Sequence, residues 1–292
     1  MRVVAIVQAR MGSTRLPDKV LRKIGDKPMI QLLLERLSLS KMIDEIVVAT
    51  STDEKNEKLR VVVSQLGFKV FQGSETDVLS RFLGAAKFVN ADVIVRVTGD
   101  CPLIDPLLVD ECVKRFNAEK VDYLSNTQPP TFPDGLYTEV FSFQALERSA
   151  NEATSSYERE HVTPFLRNDI GTRRGQVLSE TDYSSSRWTV DEKADLTVVQ
   201  NVFQFFAPRV DFGWLEVLDL ERKRPDLFSA NYGLIRNEGA LMGSGQKLWK
   251  RAKSVVRGRA IATLFCVILV GFRRKCLRAS MSFVVMSQSA SI

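Results

Sequence analysis

Short β-branched, apolar runs alternate with longer mixed stretches over the first hundred positions of the chain. The runs VVAIVQ (3–8), EIVVAT (45–50), FKVFQ (68–72) and VIVRVT (93–98) have the length and side-chain type of strands. Between them lie helix-like stretches: PMIQLLLERLSLS from Pro28, a residue suited to a first helical turn, then Asp53 to Leu66, then TDVLSRFLGAAKFVN with Thr76 or Asp77 as its cap. Four rounds of this alternation predict an α/β fold in three layers, α/β/α. Its sheet is mostly parallel, its crossovers right-handed, and both its faces are covered by helices.

Beyond position 100 the pattern predicts a helix PLLVDECVKRFNAE from Pro106, with Asp105 as its cap, and a strand VDYLSN. The texture then turns Pro-rich and aromatic in TQPPTFPDGLYTEVFSF, an irregular insertion of the kind that carries substrate contacts. A helix from about Phe143, another around SYEREHVTPFLRN, and RWTVDEKADLTVVQNVFQFF complete the body near Leu227 or Leu234. The 292 residues, 45% of them apolar, suffice for one large α/β domain or two small ones.

Charge is unevenly placed. The formal total is +6, yet from Gly239 onward there are ten basic residues and no acid, while residues 1–238 hold 31 Lys and Arg against 35 acids. The body is thus mildly acidic, which argues against a nucleic-acid partner. In the last stretch, 257–292, the apolar run Ala260–Phe272 spans 13 residues. That is short of the roughly 18–20 a membrane span needs, so membrane contact is expected, if anywhere, only through an interfacial tail. Four cysteines without metal or disulfide spacing, and a first strand pattern with no leader before it, point to a reducing cytoplasm.

The candidate chemistry lies at two strand ends, QARMGSTRLPDK (8–19) and TGDCPLIDP (98–106), which an α/β sheet makes neighbours at its carboxyl edge. The first is neither a GxxxxGK[ST] loop nor a GxGxxG fingerprint. It still offers what a triphosphate needs: Gly12 and Ser13 for close backbone approach, Arg10 and Arg15 to fork onto phosphate oxygens, and Lys19 as a movable charge. Solvated charges on a surface loop are the alternative.

QARMGSTRLPDKVL resembles the ARxxSxRLPxK loop of CMP-sugar synthetases such as the CMP-KDO synthetase, which have a GT-A-like (Rossmann-like) nucleotidyltransferase fold. GDKPMIQLLLERL, EIVVATS, GSETDVLSRF and VIVRVTGDCPLIDP continue the likeness in the same order. PDGLYTEVFSFQALERS and EREHVTPFLRN are most similar to the SpsF group of cytidylyltransferase-like proteins, and the likeness covers about residues 1–235.

The resemblance implies that Ala9 and Arg10 approach the nucleotide, with Arg10, Ser13, Arg15 and Lys19 around its phosphates. It implies that Asp100, in the GDxP turn, binds Mg²⁺ together with an acid of VDEKADL, Asp191 or else Asp195. The substrates implied are CTP and a sugar, a 2-keto sugar acid by the same analogy. Pyrophosphate would leave without a covalent intermediate, the product would serve a surface polysaccharide, and the chain would form a homodimer.

Each residue also has a plainer reading. Asp100 organises a turn, Asp191 and Asp195 cap a helix, and Asp105 does the same. His161, the only histidine, and Arg159 fall near the acceptor site in the SpsF pattern, or are structural. Glu139 binds sugar hydroxyls or pairs with a neighbouring base, and Cys101 is a small filler beside the turn. A GT-A glycosyltransferase is the competing enzyme class, although no DxD motif ends the fourth strand. A nucleotide-binding scaffold is the non-catalytic alternative. Finally, GSGQKLWKRAKSVV (243–256) resembles the first helix of class III aminotransferases. The expected organisation is therefore a cytidylyltransferase-like domain (1–238), a remnant (239–256) and a non-native extension (257–292) without its own fold or pyridoxal phosphate.

Overall fold

The computed structural model describes residues 1–234. The expectations for 239–256 and 257–292 lie outside the described residues. The chain runs through β1 (Val3–Gln8), a small hairpin β2 (Lys23–Ile24) and β3 (Lys27–Pro28), α1 (Met29–Leu37), β4 (Glu45–Ser51), α2 (Glu57–Gln65), β5 (Lys69–Gly73), α3 (Val78–Phe88), β6 (Val93–Thr98) and α4 (Pro106–Glu119). It continues through β7 (Tyr123–Ser125), β8 (Glu139–Ser142), α5 (Phe143–Glu152), α6 (Ser156–His161), α7 (Pro164–Asn168), β9 (Arg174–Gln176), α8 (Lys193–Phe206) and α9 (Trp214–Lys223).

Seven strands form the main sheet in the order β5-β4-β1-β6-β8-β7-β9. β1 pairs in parallel with β4 and β6, and β8 runs antiparallel to both β6 and β7. Alternate β1 side chains enter two cores. Val3, Ala5 and Val7 pack with α1, α2, α4 and α8, whereas Val4 and Ile6 pack with α3, α5 and α7. A strand buried on both faces reads as a continuous apolar run, which is why β1, β4 and β6 stand out in the sequence. The chain moves outward from β1 to β5 and then returns to the other side of β1, so the strand order reverses between β1 and β6. Crevices form at the carboxyl ends of strands flanking such a reversal.

Several expected elements differ in detail. Pro28 closes the hairpin and caps α1 with extended backbone rather than occupying its first turn. The 53–66 stretch divides into a 3₁₀ turn, Glu54–Asn56, capped by the Asp53 side chain, and α2. Asp77 rather than Thr76 caps α3, accepting from the Ser80 N–H. EVFS, read as part of an irregular insertion, is strand β8, and SYEREHVTPFLRN is two short helices separated by Val162 at φ 70°. No helix among the described residues is long and apolar enough to cross a membrane.

Candidate active site

The loop after β1 is anchored by its apolar members, which leaves its polar ones at the surface of a cleft. Met11, Leu16 and Val20 are buried. The Met11 N–H donates to Asn56 Oδ1 at 2.8 Å, and Asn56 in turn donates to Ser51 Oγ at the end of β4 at 2.7 Å. Between these anchors the loop lines a cleft of about 310 Å³ with Ala9, Arg10, Gly12, Ser13, Arg15 and Lys19, the six positions expected to meet a nucleotide. Asp100 and Asp191 line it too.

Gly99 forms part of the floor. Its N–H donates to the Gln8 carbonyl at 2.8 Å, and a Cβ there would come within 3.0 Å of the Ala9 Cβ. Glycine thus lets the ends of β1 and β6 close together. Sequence reasoning passed over this residue, and also over Gln8, Thr14, Val20 and Thr98 in the lining; a glycine directly after a strand was the available signal.

Each loop cation meets an acid. Arg10 pairs with Glu75 at 2.7 Å, and Arg15 with Asp191 at 3.0 Å and Glu192 at 3.6 Å. Lys19 reaches Asp100 at 3.2 Å and Asp191 at 2.9 Å. Burial alone would raise the Asp100 carboxyl, but Lys19 and Thr98 hold it down to about 2, so at neutral pH it is an anion. Burial likewise opposes the Lys19 charge, and the two carboxylates outweigh it and raise its pKa. The neighbouring Cys101 thiol is pushed well up by burial and by Asp100, and Cys112 to about 12 by burial. Neither is a ready nucleophile.

Asp191 owes its position to a polar scaffold behind it. The Val190 N–H donates to the Asp100 carbonyl at 2.8 Å, and the Trp188 N–H to the Asp134 carbonyl at 2.7 Å. Gly135, at φ 115°, allows this contact, because a Cβ would lie 2.7 Å from Thr189 N and Trp188 C. Asp195 is fully buried. It accepts from Arg187 Nε at 2.9 Å and Nη2 at 3.0 Å, from Asn231 Nδ2 at 3.0 Å, and from the N–H groups of Asp191 and Glu192 at 3.0 and 2.9 Å. It is a cap and a counter-ion, with its oxygens turned to these donors. The supporting partners Asp134, Arg187 and Asn231 carried no sequence signal apart from the Asp-Gly pair at 134–135.

The acceptor-side candidates do not line the cleft. Glu139, 2% exposed, is held by Arg96, by Arg167 at 2.6 Å and by the Tyr123 hydroxyl at 2.5 Å. Its carboxylate serves an interior network instead of presenting oxygens to a sugar. Arg159 fastens α6 to the cap of α3 through Asp77 at 2.7 Å and through the Ala150 and Ala153 carbonyls. His161 is exposed and packs on Tyr157, ring centroids 4.5 Å apart.

Asp100 and Asp191 fit a magnesium ion. Both direct a carboxylate oxygen at the same ammonium, at 3.2 and 2.9 Å, so they converge on one cation, and oxygen donors suit a hard divalent ion. No group of three or more His, Cys, Asp or Glu able to hold a metal exists among the described residues. Two carboxylates, with waters and phosphate oxygens completing the shell, is an ordinary arrangement for this ion.

A cleft at the strand-order reversal, with a cationic loop facing paired carboxylates, is the layout of an α/β nucleotidyltransferase. Comparison with known proteins narrows the class. A family model described as cytidylyltransferase matches residues 4–206, and the chain belongs to that family. The spore coat polysaccharide biosynthesis protein SpsF of Bacillus subtilis is 35% identical over 232 residues, 77% of this chain and 95% of the relative. A 3-deoxy-manno-octulosonate cytidylyltransferase of Geobacter metallireducens is 37% identical over 121 residues, covering 41% of this chain and 46% of that protein. Among solved structures, a cytidylyltransferase from Leptospira borgpetersenii superposes with a TM-score of 0.76 at 33% identity, covering 81% of this chain and 100% of that one.

Proposed function

We propose that the protein transfers CMP from CTP to a sugar, a 2-keto sugar acid by analogy with the relatives, and releases pyrophosphate for surface polysaccharide synthesis. The observation that carries this reading is the meeting of Arg10, Arg15 and Lys19 with Asp100 and Asp191 in one cleft. A triphosphate needs the first group and its magnesium the second. In the reaction a sugar hydroxyl oxygen bonds to the α-phosphorus while the bond to the β-phosphate breaks and the hydroxyl proton passes to solvent. Asp100 and Asp191 would hold Mg²⁺, which when bound neutralises phosphate charge. Gly12 offers its backbone N–H to phosphate oxygens, whereas the Ser13 N–H already donates to the Met11 carbonyl at 2.9 Å and leaves that residue only its hydroxyl for the ligand, and the two arginines orient the leaving pyrophosphate. Ala9 and Gly99 keep the floor flat beside the nucleotide. A cytoplasmic location, where CTP is at hand, and a homodimer are part of the same reading.

The test is pyrophosphate release with Mg²⁺, each of the four nucleoside triphosphates, and a panel of sugar acids and sugar phosphates. CTP-dependent release with one sugar is the expected result. Arg15→Ala and Asp100→Ala should each lower it by about 100-fold or more while leaving the circular dichroism spectrum intact. Near wild-type turnover in either variant would remove this mechanism.

A further inference from the structure

The Lys19 ammonium stands where a cation shared by the two acids would stand. Its Nζ lies 3.2 Å from Asp100 Oδ2, 2.9 Å from Asp191 Oδ1 and 2.8 Å from the Val190 carbonyl, so each of its three N–H donors has an acceptor. The side chain is only 12% exposed, so this contact is the built position of the group and not one pose of a waving surface lysine. A magnesium ion bound to the same two oxygens would sit about 2.1 Å from each. The ammonium and the ion would then lie within van der Waals range of each other, two like charges in a half-buried cleft, and the two cannot occupy it together. Lys19 also lines the cleft beside Gly12 and Ser13, and its flexible four-carbon stem lets the charge swing where a planar, forked guanidinium would not follow.

We propose that Lys19 is a built-in counter-cation: it holds Asp100 and Asp191 together and blocks divalent-ion entry until a triphosphate draws the ammonium onto its own oxygens. Metal and nucleotide binding are thereby coupled, and by linkage the coupling is reciprocal. The inference rests on the reading of Asp100 and Asp191 as the acids of the metal site. Lys19 acts here as a positioning residue, through the carboxylates it occupies.

The experiment titrates the full chain with Mn²⁺ in the absence of nucleotide and reads free ion by electron paramagnetic resonance. Lys19→Met and Lys19→Gln, the second keeping hydrogen-bond donors without the charge, should each bind one Mn²⁺ at least about 10-fold more tightly than wild type, within the usual range of inter-site coupling. Lys19→Arg should restore wild-type weakness. Adding Asp191→Asn to Lys19→Met should erase the gain. Mn²⁺ should raise the melting temperature of Lys19→Met and leave that of wild type unchanged, a reading that holds even if the variant is less stable. Equal nucleotide-free affinity in wild type and both neutral variants would overturn the proposal, as would a gain that survives Asp191→Asn. Absence of CTP-dependent turnover in wild type would remove the proposed function and leave the Mn²⁺ result standing; an absent Mn²⁺ gain with turnover intact would remove the counter-cation alone.

Discussion

Replacing Asp195 by alanine separates the acid that supports the site from Asp191, the acid proposed to serve it. Asp195 is fully buried and accepts five hydrogen bonds, two of them from the Arg187 guanidinium, which is itself only 8% exposed. Its removal leaves that guanidinium with Asp134 at 3.4 Å and Asp191 at 3.7 Å. Breaking one partner of a buried ion pair costs about 3–5 kcal/mol. The two remaining acids favour the lower end, about 3 kcal/mol. In a domain of this size each kcal/mol moves the melting temperature by roughly 2–4 °C, so Asp195→Ala should melt about 6–12 °C lower. Asp191 loses a backbone anchor in the same variant, and misplacement of a reacting group costs on the order of 100-fold in rate. Asp191→Asn should behave inversely. Its side chain is 24% exposed and its two shortest ion pairs, to Lys19 and Arg15, face the cleft, with only the longer 3.7 Å contact reaching Arg187, so it should melt within about 3 °C of wild type yet lose turnover. Differential scanning fluorimetry and pyrophosphate release measure both axes. A normally melting Asp195→Ala without turnover, beside an active Asp191→Asn, would mean that the roles assigned to the two acids are reversed.

Two further outcomes follow from the interior. Burial alone would raise the Glu139 carboxyl, but Arg96 and Arg167 hold it at about 2, below its ordinary 4.5. Its contribution to stability is therefore complete above about pH 4.5 and is lost as the pH falls toward 2. Glu139→Gln should flatten that acid limb in a plot of urea midpoint against pH, and an unchanged slope would show that other carboxyls set it. Gly135→Ala places a Cβ 2.7 Å from the Trp188–Thr189 backbone at φ 115°, so it should cost more than about 1 kcal/mol and lower turnover by shifting Asp191. A wild-type urea midpoint would refute the close-contact argument.

The parts of the fold that were legible in the sequence are those whose cause is local. β1, β4 and β6 announce themselves because burial on both faces makes each a continuous apolar run. Asp105 was readable as a cap because a carboxylate before Pro106 has one evident use, and it accepts from Leu107 and Leu108 as expected. β8 was not legible: EVFS is four residues inside a Pro-rich, aromatic segment, and it lies between β6 and β7, with Glu139 opposite Arg96 of β6. That register also explains Glu139, which reads as a loop acid and is an interior one. The break at Val162 was hidden for a similar reason, since nothing about valine forecasts φ 70°. In the site, the loop cations and Asp100 were readable from strand ends and motif. The motif pointed to Asp191 ahead of Asp195; what it could not show is why their surroundings differ, because that depends on Arg187 and Asn231 reaching the carboxylate at 195.

The acids opposite the loop sharpen what the cleft selects. Arg10, Arg15 and Lys19 are not bare positive charges, since Glu75, Asp191, Glu192 and Asp100 already engage them. A ligand anion gains only the difference between its own contacts and the pairs it displaces, so a single phosphate meeting one of these cations exchanges one partner for another at little net gain. A triphosphate in the proposed pose can engage all three cations at once, and each carboxylate it releases on Asp100 and Asp191 becomes available to the magnesium that accompanies it. Acids that weaken the loop toward small anions are thus the groups that make the pair of triphosphate and metal favourable together. On this argument the neutrality of the cleft is a source of selectivity, and in the proposed function the acids at 100 and 191 discriminate against nucleoside monophosphates as well as serving the ion.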